Sequence, residues 1–171
     1  MGEWGWRGGY SDGAACPLKT GPRRADTPCV GPSHPYNGFS WMSSPPPCIL
    51  IVDDEADLVA VLRFGLEAEG FRVLTAGDGE DGLRQARESE PDMMVLDLML
   101  PKMDGYKVCR ALKYDERYRA MPIIILSARS GAQDRQLALD MGADDFVTKP
   151  YEMRNLVRRI QAFLKRAKRA A

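Results

Sequence analysis

Five short strand-forming runs, at residues 48–52, 72–75, 93–96, 123–126 and 145–148, alternate with segments of helix length, and this alternation restricts the fold more than any other feature. Cys48, Ile49, Leu50, Ile51 and Val52 show no polar alternation, nor do Ile123, Ile124, Ile125 and Leu126 behind Pro122. A strand apolar on both faces of its pleat has to be covered on both, as the strands of parallel sheets are. The segments between carry the complementary pattern. Over 56–69, Leu58, Val61, Leu62 and Leu66 share a helical face, and Gly70 stops the helix. The spacing predicts further helices over 79–89, 105–114, 131–141 and 151–168. Asp104 stands where it caps the third helix, and Gly142 ends the fourth. The last carries Met153, Leu156, Val157, Ile160, Phe163 and Leu164 at helical intervals. Strands and helices in strict alternation, joined by right-handed crossovers, give a parallel sheet wrapped on both sides, an α/β/α sandwich of three layers.

Residues 1–47 do not share this pattern. They hold all three tryptophans, eight of the twelve prolines and eight of the sixteen glycines, while Leu18 and Val30 are their only Leu, Ile or Val. Such a segment buries too little apolar surface to offset the entropy of ordering it. It is expected to be a disordered leader ending at the turn-prone Ser43-Ser44-Pro45-Pro46-Pro47, with one domain at 48–171. Met42 directly precedes that run, and a native start there would make residues 1–41 an upstream artefact, which the intact mass of the native protein decides. No apolar run reaches the roughly 18 residues that cross a bilayer. With 24 basic and 24 acidic residues, the chain has no global pull toward nucleic acid or anionic lipid. One histidine and four cysteines without a C-x-x-C pair exclude the common zinc frameworks, and a disulfide-stapled secreted scaffold is equally excluded. A cytoplasmic location is expected.

In an open parallel sheet, function is sought at the carboxyl ends of the strands, where the strand order reverses. Strand one ends in Asp53-Asp54, strand three in Asp97, strand four in Ser127, and strand five in Thr148-Lys149-Pro150. Clustered carboxylates repel unless they share a cation, and a hard ion such as Mg²⁺ takes a few such oxygens plus waters. A lysine and a hydroxyl aimed at the same spot suit the oxygens of a phosphoryl group, and the central carboxylate is then a nucleophile that forms an acyl phosphate. Taken singly, each group has a plain structural reading. An acidic pair after a strand caps a helix, a strand-end aspartate or serine serves a loop, and a lysine before proline lies at the surface. Gly77-Asp78-Gly79 lacks the spacing of a phosphate loop and is read as a turn. What favours a shared site is that four strands deliver compatible groups to one edge.

These residues resemble the receiver domain of bacterial response regulators, the CheY-like, flavodoxin-like fold, over all of 48–171. The resemblance rests on Ile49-Leu50-Ile51-Val52-Asp53-Asp54-Glu55, on Asp97-Leu98-Met99-Leu100-Pro101-Lys102-Met103-Asp104-Gly105, and on Gly142-Ala143-Asp144-Asp145-Phe146-Val147-Thr148-Lys149-Pro150. It implies the strand order 2-1-3-4-5 and a phosphoacceptor at Asp97. It implies Mg²⁺ bound by Asp54, Asp97 and the backbone carbonyl of Met99, with Asp53 acting through a water. Ser127 and Lys149 would each meet a phosphoryl oxygen, beside the small Ala128, and the Lys149–Pro150 bond would be cis. Ser127 and Phe146 would form the switch, and the phenylalanine, lacking a hydroxyl to hold it outside, is expected to favour its inward position.

The same resemblance implies a phosphoryl donor, either a sensor histidine kinase or a histidine phosphotransfer protein, and a downstream protein target. Residues up to Ala171 leave no recognition helix after the fifth helix, so sequence-specific DNA binding by this chain is not expected. The apolar stripe of that helix is committed to the sheet, which argues against a membrane-surface role. Its basic residues read as a solvated face. Arg135, Asp145 and Arg159 match charged positions that pair across a homodimer in the winged-helix regulator subfamily, although Asn155 stands where that pattern has an acid. An enzyme built on an aspartyl phosphate, of the haloacid-dehalogenase type, needs a second aspartate two residues after the nucleophile, and Met99 occupies that place. The expectation is a switch, with at most weak autophosphatase activity, rather than an enzyme.

Overall fold

The computed structural model describes residues 45–170, with side chains through 167; the expected leader up to residue 44 and the start at Met42 lie outside the described residues. Ten elements alternate as expected: β1 (Cys48–Val52), α1 (Ala56–Ala68), β2 (Arg72–Ala76), α2 (Gly79–Ser89), β3 (Met93–Asp97), α3 (Gly105–Lys113), β4 (Ile123–Ser127), α4 (Ala132–Asp140), β5 (Asp145–Thr148) and α5 (Met153–Ala170). The strands form one parallel sheet in the order β2-β1-β3-β4-β5.

Pleat alternation divides each apolar strand between two core layers. Leu50, Val52, Met94, Leu96, Ile123 and Ile125 face the layer completed by Ala86 of α2, Val108, Cys109 and Leu112 of α3, and Ala138 of α4. Their strand neighbours Ile49, Ile51, Met93, Val95, Ile124 and Leu126 face Leu62 and Leu66 of α1 and Leu156, Ile160 and Leu164 of α5. None of the twelve strand residues is more than 1% exposed. Each contributes roughly 1.5–3 kcal/mol of burial before entropy is counted. This is the three-layer sandwich that the continuous apolar runs imply.

The helix ends follow local chemistry. Asp104 caps α3 by accepting the Lys107 N–H at 3.0 Å, and Gly70 and Gly142 take the left-handed backbone that ends α1 and α4. Asp78 caps α2 through the Asp81 N–H at 2.8 Å, so Gly77-Asp78-Gly79 is a turn and cap, as read. Several boundaries shift by one or two residues. β3 and β4 each run one residue further than their apolar runs, to Asp97 and Ser127, because the ladder continues through the polar residue. α5 starts at Met153 rather than 151, since the Glu152 carbonyl accepts the N–H groups of Asn155 and Leu156. No helix among the described residues is long and apolar enough to cross a membrane.

Candidate functional site

The register of the central strands builds the site. Val52 lies beside Leu96 in the β1–β3 ladder, so the next residues, Asp53 and Asp97, leave the sheet as neighbours. On the other side Asp97 pairs with Leu126, which brings Ser127 to the same edge, and Ser127 pairs with Thr148, the residue before Lys149. Asp53 and Asp97 are 2% and 5% exposed, whereas Asp54 is exposed. One carboxylate oxygen from each of Asp53, Asp54 and Asp97 lies within 4.8 Å of the others.

Lys149 reaches into this group across the Lys149–Pro150 bond, which is cis. Its Nζ lies 2.8 Å from Asp53 Oδ2, 3.3 Å from Glu55 Oε1 and 3.4 Å from Asp97 Oδ1. Burial works against the ammonium, but the hydrogen bond to Asp53 and the charges of Asp97 and Asp53 outweigh it and raise its pKa. Asp97 is shifted the opposite way from an ordinary salt-bridged acid. Burial raises its pKa, Lys149 pulls it down, the Asp53 charge pushes it up again, and the net direction is upward. The Met99 N–H, at 3.2 Å from Asp97 Oδ2, and the Glu55 N–H, at 2.9 Å from Asp53 Oδ1, hold the two carboxylates in place.

The structure thus brings Asp53, Asp54, Asp97 and Lys149 into one pocket. Ser127 stands at its rim, fully buried, its Oγ accepting the Arg129 N–H at 3.0 Å. Ala128 is exposed beside it, and the Met99 side chain is 56% exposed. The Phe146 ring is 2% exposed and belongs to the core layer under α4. Arg135 of α4, Asp145 of the edge strand β5 and Arg159 of α5 form a separate cluster, and they are paired within the chain. The Arg159 guanidinium bonds the Asp145 carboxylate, Arg135 lies 3.9 Å from the same carboxylate, and Arg135 also donates to the Phe146 carbonyl at 3.1 Å. Asn155 donates to Glu152 at 3.0 Å.

Two residues near the pocket went unread in the sequence. Glu55 shares Lys149, and its place in the Asp53-Asp54-Glu55 run was the available signal. Tyr151 has a buried hydroxyl with no hydrogen-bond partner, and burial pushes its pKa up to about 12. An aromatic after proline reads simply as a helix start, so nothing in the sequence marked it.

The donor set fits magnesium. Among the described residues, the Lys149 ammonium meets Asp53, Glu55 and Asp97, and Asp54 joins Asp53 and Asp97, so one ammonium cannot balance the acidic charge gathered there. All are hard oxygen donors, and no histidine or thiol competes.

Comparison with known proteins places these groups in context. A family model, "Response regulator receiver domain", matches residues 49–161. The alkaline phosphatase synthesis transcriptional regulatory protein PhoP of Bacillus subtilis is 44% identical over 123 residues, which are 72% of this chain and 50% of that protein. The chain therefore spans about half the length of this curated relative. Among solved structures, the CheY-like receiver domain protein of Methanospirillum hungatei is 25% identical with a TM-score of 0.70, covering 74% of this chain and 99% of that one. The receiver domain of a sensor histidine kinase from Pseudomonas aeruginosa PAO1 is 32% identical with a TM-score of 0.66, covering 70% and 98%, and its structure has a magnesium ion coordinated in the active-site cleft.

Proposed function

The chain belongs to the response regulator receiver domain family of two-component signalling, and we propose that it works as a phosphoryl-accepting switch whose acceptor is Asp97. A phosphohistidine on a sensor histidine kinase or a histidine phosphotransfer protein docks over the pocket. An Asp97 carboxylate oxygen attacks the phosphorus in line, the P–O bond forms as the P–N bond breaks, and the imidazole leaves with its electron pair. Little covalent work remains for the protein beyond positioning and charge neutralisation. Lys149, already 3.4 Å from Asp97, turns to a phosphoryl oxygen, and the Ser127 hydroxyl donates to another. Magnesium held by Asp54, Asp97 and the Met99 carbonyl, with Asp53 acting through a water, would supply the positive charge that lets the anionic phosphoryl group approach the anionic nucleophile. The observation that carries this reading is the convergence of Asp53, Asp54 and Asp97 within 4.8 Å, with the Lys149 ammonium among them.

Incubation with acetyl phosphate and MgCl₂ followed by intact-mass analysis is the test. The wild-type chain gains one phosphoryl group, while Asp97→Asn and the wild type in excess EDTA do not. Equal labelling of mutant and wild type removes Asp97 from the account, and labelling that persists in EDTA removes the metal.

The switch runs through Ser127 and Phe146: the hydroxyl moves to the phosphoryl group, and the ring, already inward, holds the space behind it. The buried Phe146 ring supports an inward position favoured without phosphate. NMR of that ring with and without beryllofluoride checks this, a large change counting against it. The output is a protein-binding surface, and the protein acts in the cytoplasm as a switch rather than an enzyme. Sequence-specific DNA contact is not assigned to residues 45–170. The pairing of Asp145 with Arg159 and Arg135 inside one chain favours a separate protein target over a homodimer through those three residues. Sedimentation with beryllofluoride separates the two, a dimer overturning this preference.

A further inference from the structure

Next to the acidic pocket, an ion pair ties the β2–α2 connection to the loop that carries Met99. Asp78 ends the β2–α2 connection. Its Oδ1 accepts the Asp81 N–H at 2.8 Å, and its Oδ2 takes the Lys102 ammonium at 2.5 Å. Lys102 lies in the 98–104 loop that carries the chain from the phosphoacceptor to α3. Its φ is +62°, a left-handed backbone that non-glycine residues seldom adopt and that persists only where surrounding contacts hold it. The same two loops touch through their backbones. A Cβ on Gly79 would lie 2.0 Å from the Met103 carbonyl oxygen, so the loop lies directly on the first turn of α2. At its start the loop is fastened to the pocket by the Met99 N–H on Asp97 Oδ2 at 3.2 Å, and its two ends are joined by the Gly105 N–H on the Leu98 carbonyl at 3.0 Å.

We propose that the Asp78–Lys102 pair is a latch that positions the 98–103 loop, so that the Met99 backbone carbonyl stands where it completes the magnesium site. This rests on the reading of Asp53, Asp54, Asp97 and Met99 as that site. The Lys102 side chain is 59% exposed, so the pair contributes little to folding, as exposed ion pairs generally do. Its effect falls on where a short loop sits, because Lys102 follows Met99 by three residues and no regular element lies between them. Neither residue touches the reacting atoms; both are positioning residues.

The sign of the effect separates a latch from simple charge. Removing a positive side chain near a cation site tightens cation binding through Coulomb's law, and removing a negative one weakens it. A latch makes both removals weaken it. The experiment is calorimetric titration of the full chain with MgCl₂ for the wild type, Lys102→Gln, Asp78→Asn and the double variant, asparagine being chosen because it still caps α2. Both single variants are expected to bind magnesium about tenfold more weakly, at the low end of what outer-shell partners contribute. The double variant is expected to be no weaker than the weaker single, with thermal midpoints in EDTA unchanged. Lys102→Gln binding as tightly as wild type or tighter overturns the latch, and so do losses that add in the double variant. A wild-type chain that binds no magnesium overturns the metal reading beneath it, a distinct result.

Discussion

Lys149 and Asp97 show at the level of single residues how the pocket trades stability for chemistry. Lys149 pairs with three carboxylates, those of Asp53, Glu55 and Asp97, and its folded pKa lies above its ordinary value. Its stabilising effect is therefore complete below about pH 10, the unfolded lysine range, and is lost only as the pH rises through the folded value. At pH 7 Lys149→Met is expected to cost about 2–4 kcal/mol in EDTA, as the loss of one partner from a largely buried ion pair does. Urea unfolding with and without MgCl₂ checks this: the deficit should shrink with the metal, which replaces the missing charge. Asp97 carries the opposite sign. Its folded pKa is raised, so its ionised form burdens the metal-free fold above that value, and the burden vanishes below about pH 4, the unfolded aspartate range. Asp97→Asn should therefore raise the melting temperature in EDTA at pH 7 by a few degrees, on the order of 1 kcal/mol. The gap should narrow as the pH is lowered toward 4. A gap that widens toward acid would contradict this account of the pocket.

Among the elements, the junction of β3 with α3 bears most directly on the site. Gly105, the first residue of α3, would place a Cβ 2.2 Å from the Asp97 carbonyl oxygen and 2.8 Å from the Leu98 Cα, both backbone atoms that cannot swing aside. Gly105→Ala is expected to destabilise the fold by about 2–3 kcal/mol, as overpacking against backbone does. It should also slow labelling by acetyl phosphate on the order of tenfold or more, because the strand end that carries Asp97, the proposed acceptor, is displaced. Unfolding curves and time-resolved intact-mass measurements report the two effects separately. The element boundaries show where periodicity loses its grip. Apolar spacing located the strands but stopped one residue short of Asp97 and Ser127. The ladder does not end where hydrophobicity ends, and in β3 and β4 the last paired residue is the polar one at the pocket. α5 shows the reverse: Tyr151 and Glu152 suit a helix, yet the Glu152 carbonyl is its first acceptor.

Across the whole molecule, a formal charge of zero conceals segregation. Residues 48–152 hold 21 acidic and 13 basic side chains, whereas 153–171 hold seven basic residues and no acid. The acidic pocket thus lies in an acidic body, which favours a divalent cation over an anionic small molecule before any phosphoryl donor arrives. A ligand bound by the folded state alone stabilises it by mass action, about 2.7 kcal/mol at one hundred times its dissociation constant. The melting temperature should rise with MgCl₂ and fall back on chelation, a response that Asp54→Asn should blunt; a midpoint indifferent to MgCl₂ would count against a metal site in the folded chain.

Local pattern alone was enough for the order of strands and helices, the burial of each strand on both faces, the caps at Asp104 and Gly142, and the list of groups that end each strand. These depend on neighbours a few residues apart, and pleat and helical turn translate such spacing directly into faces. Which strand-end groups meet, and on what terms, needed the folded chain. The bond from Lys149 to Asp53 spans 96 residues, and Glu55 joins it only because α1 starts beside β1. Asp145 is claimed by Arg159 and Arg135 of its own chain, and Asp78 by Lys102 across two loops. Such pairings are set by ladder register and loop path, which bring together residues that no local period connects.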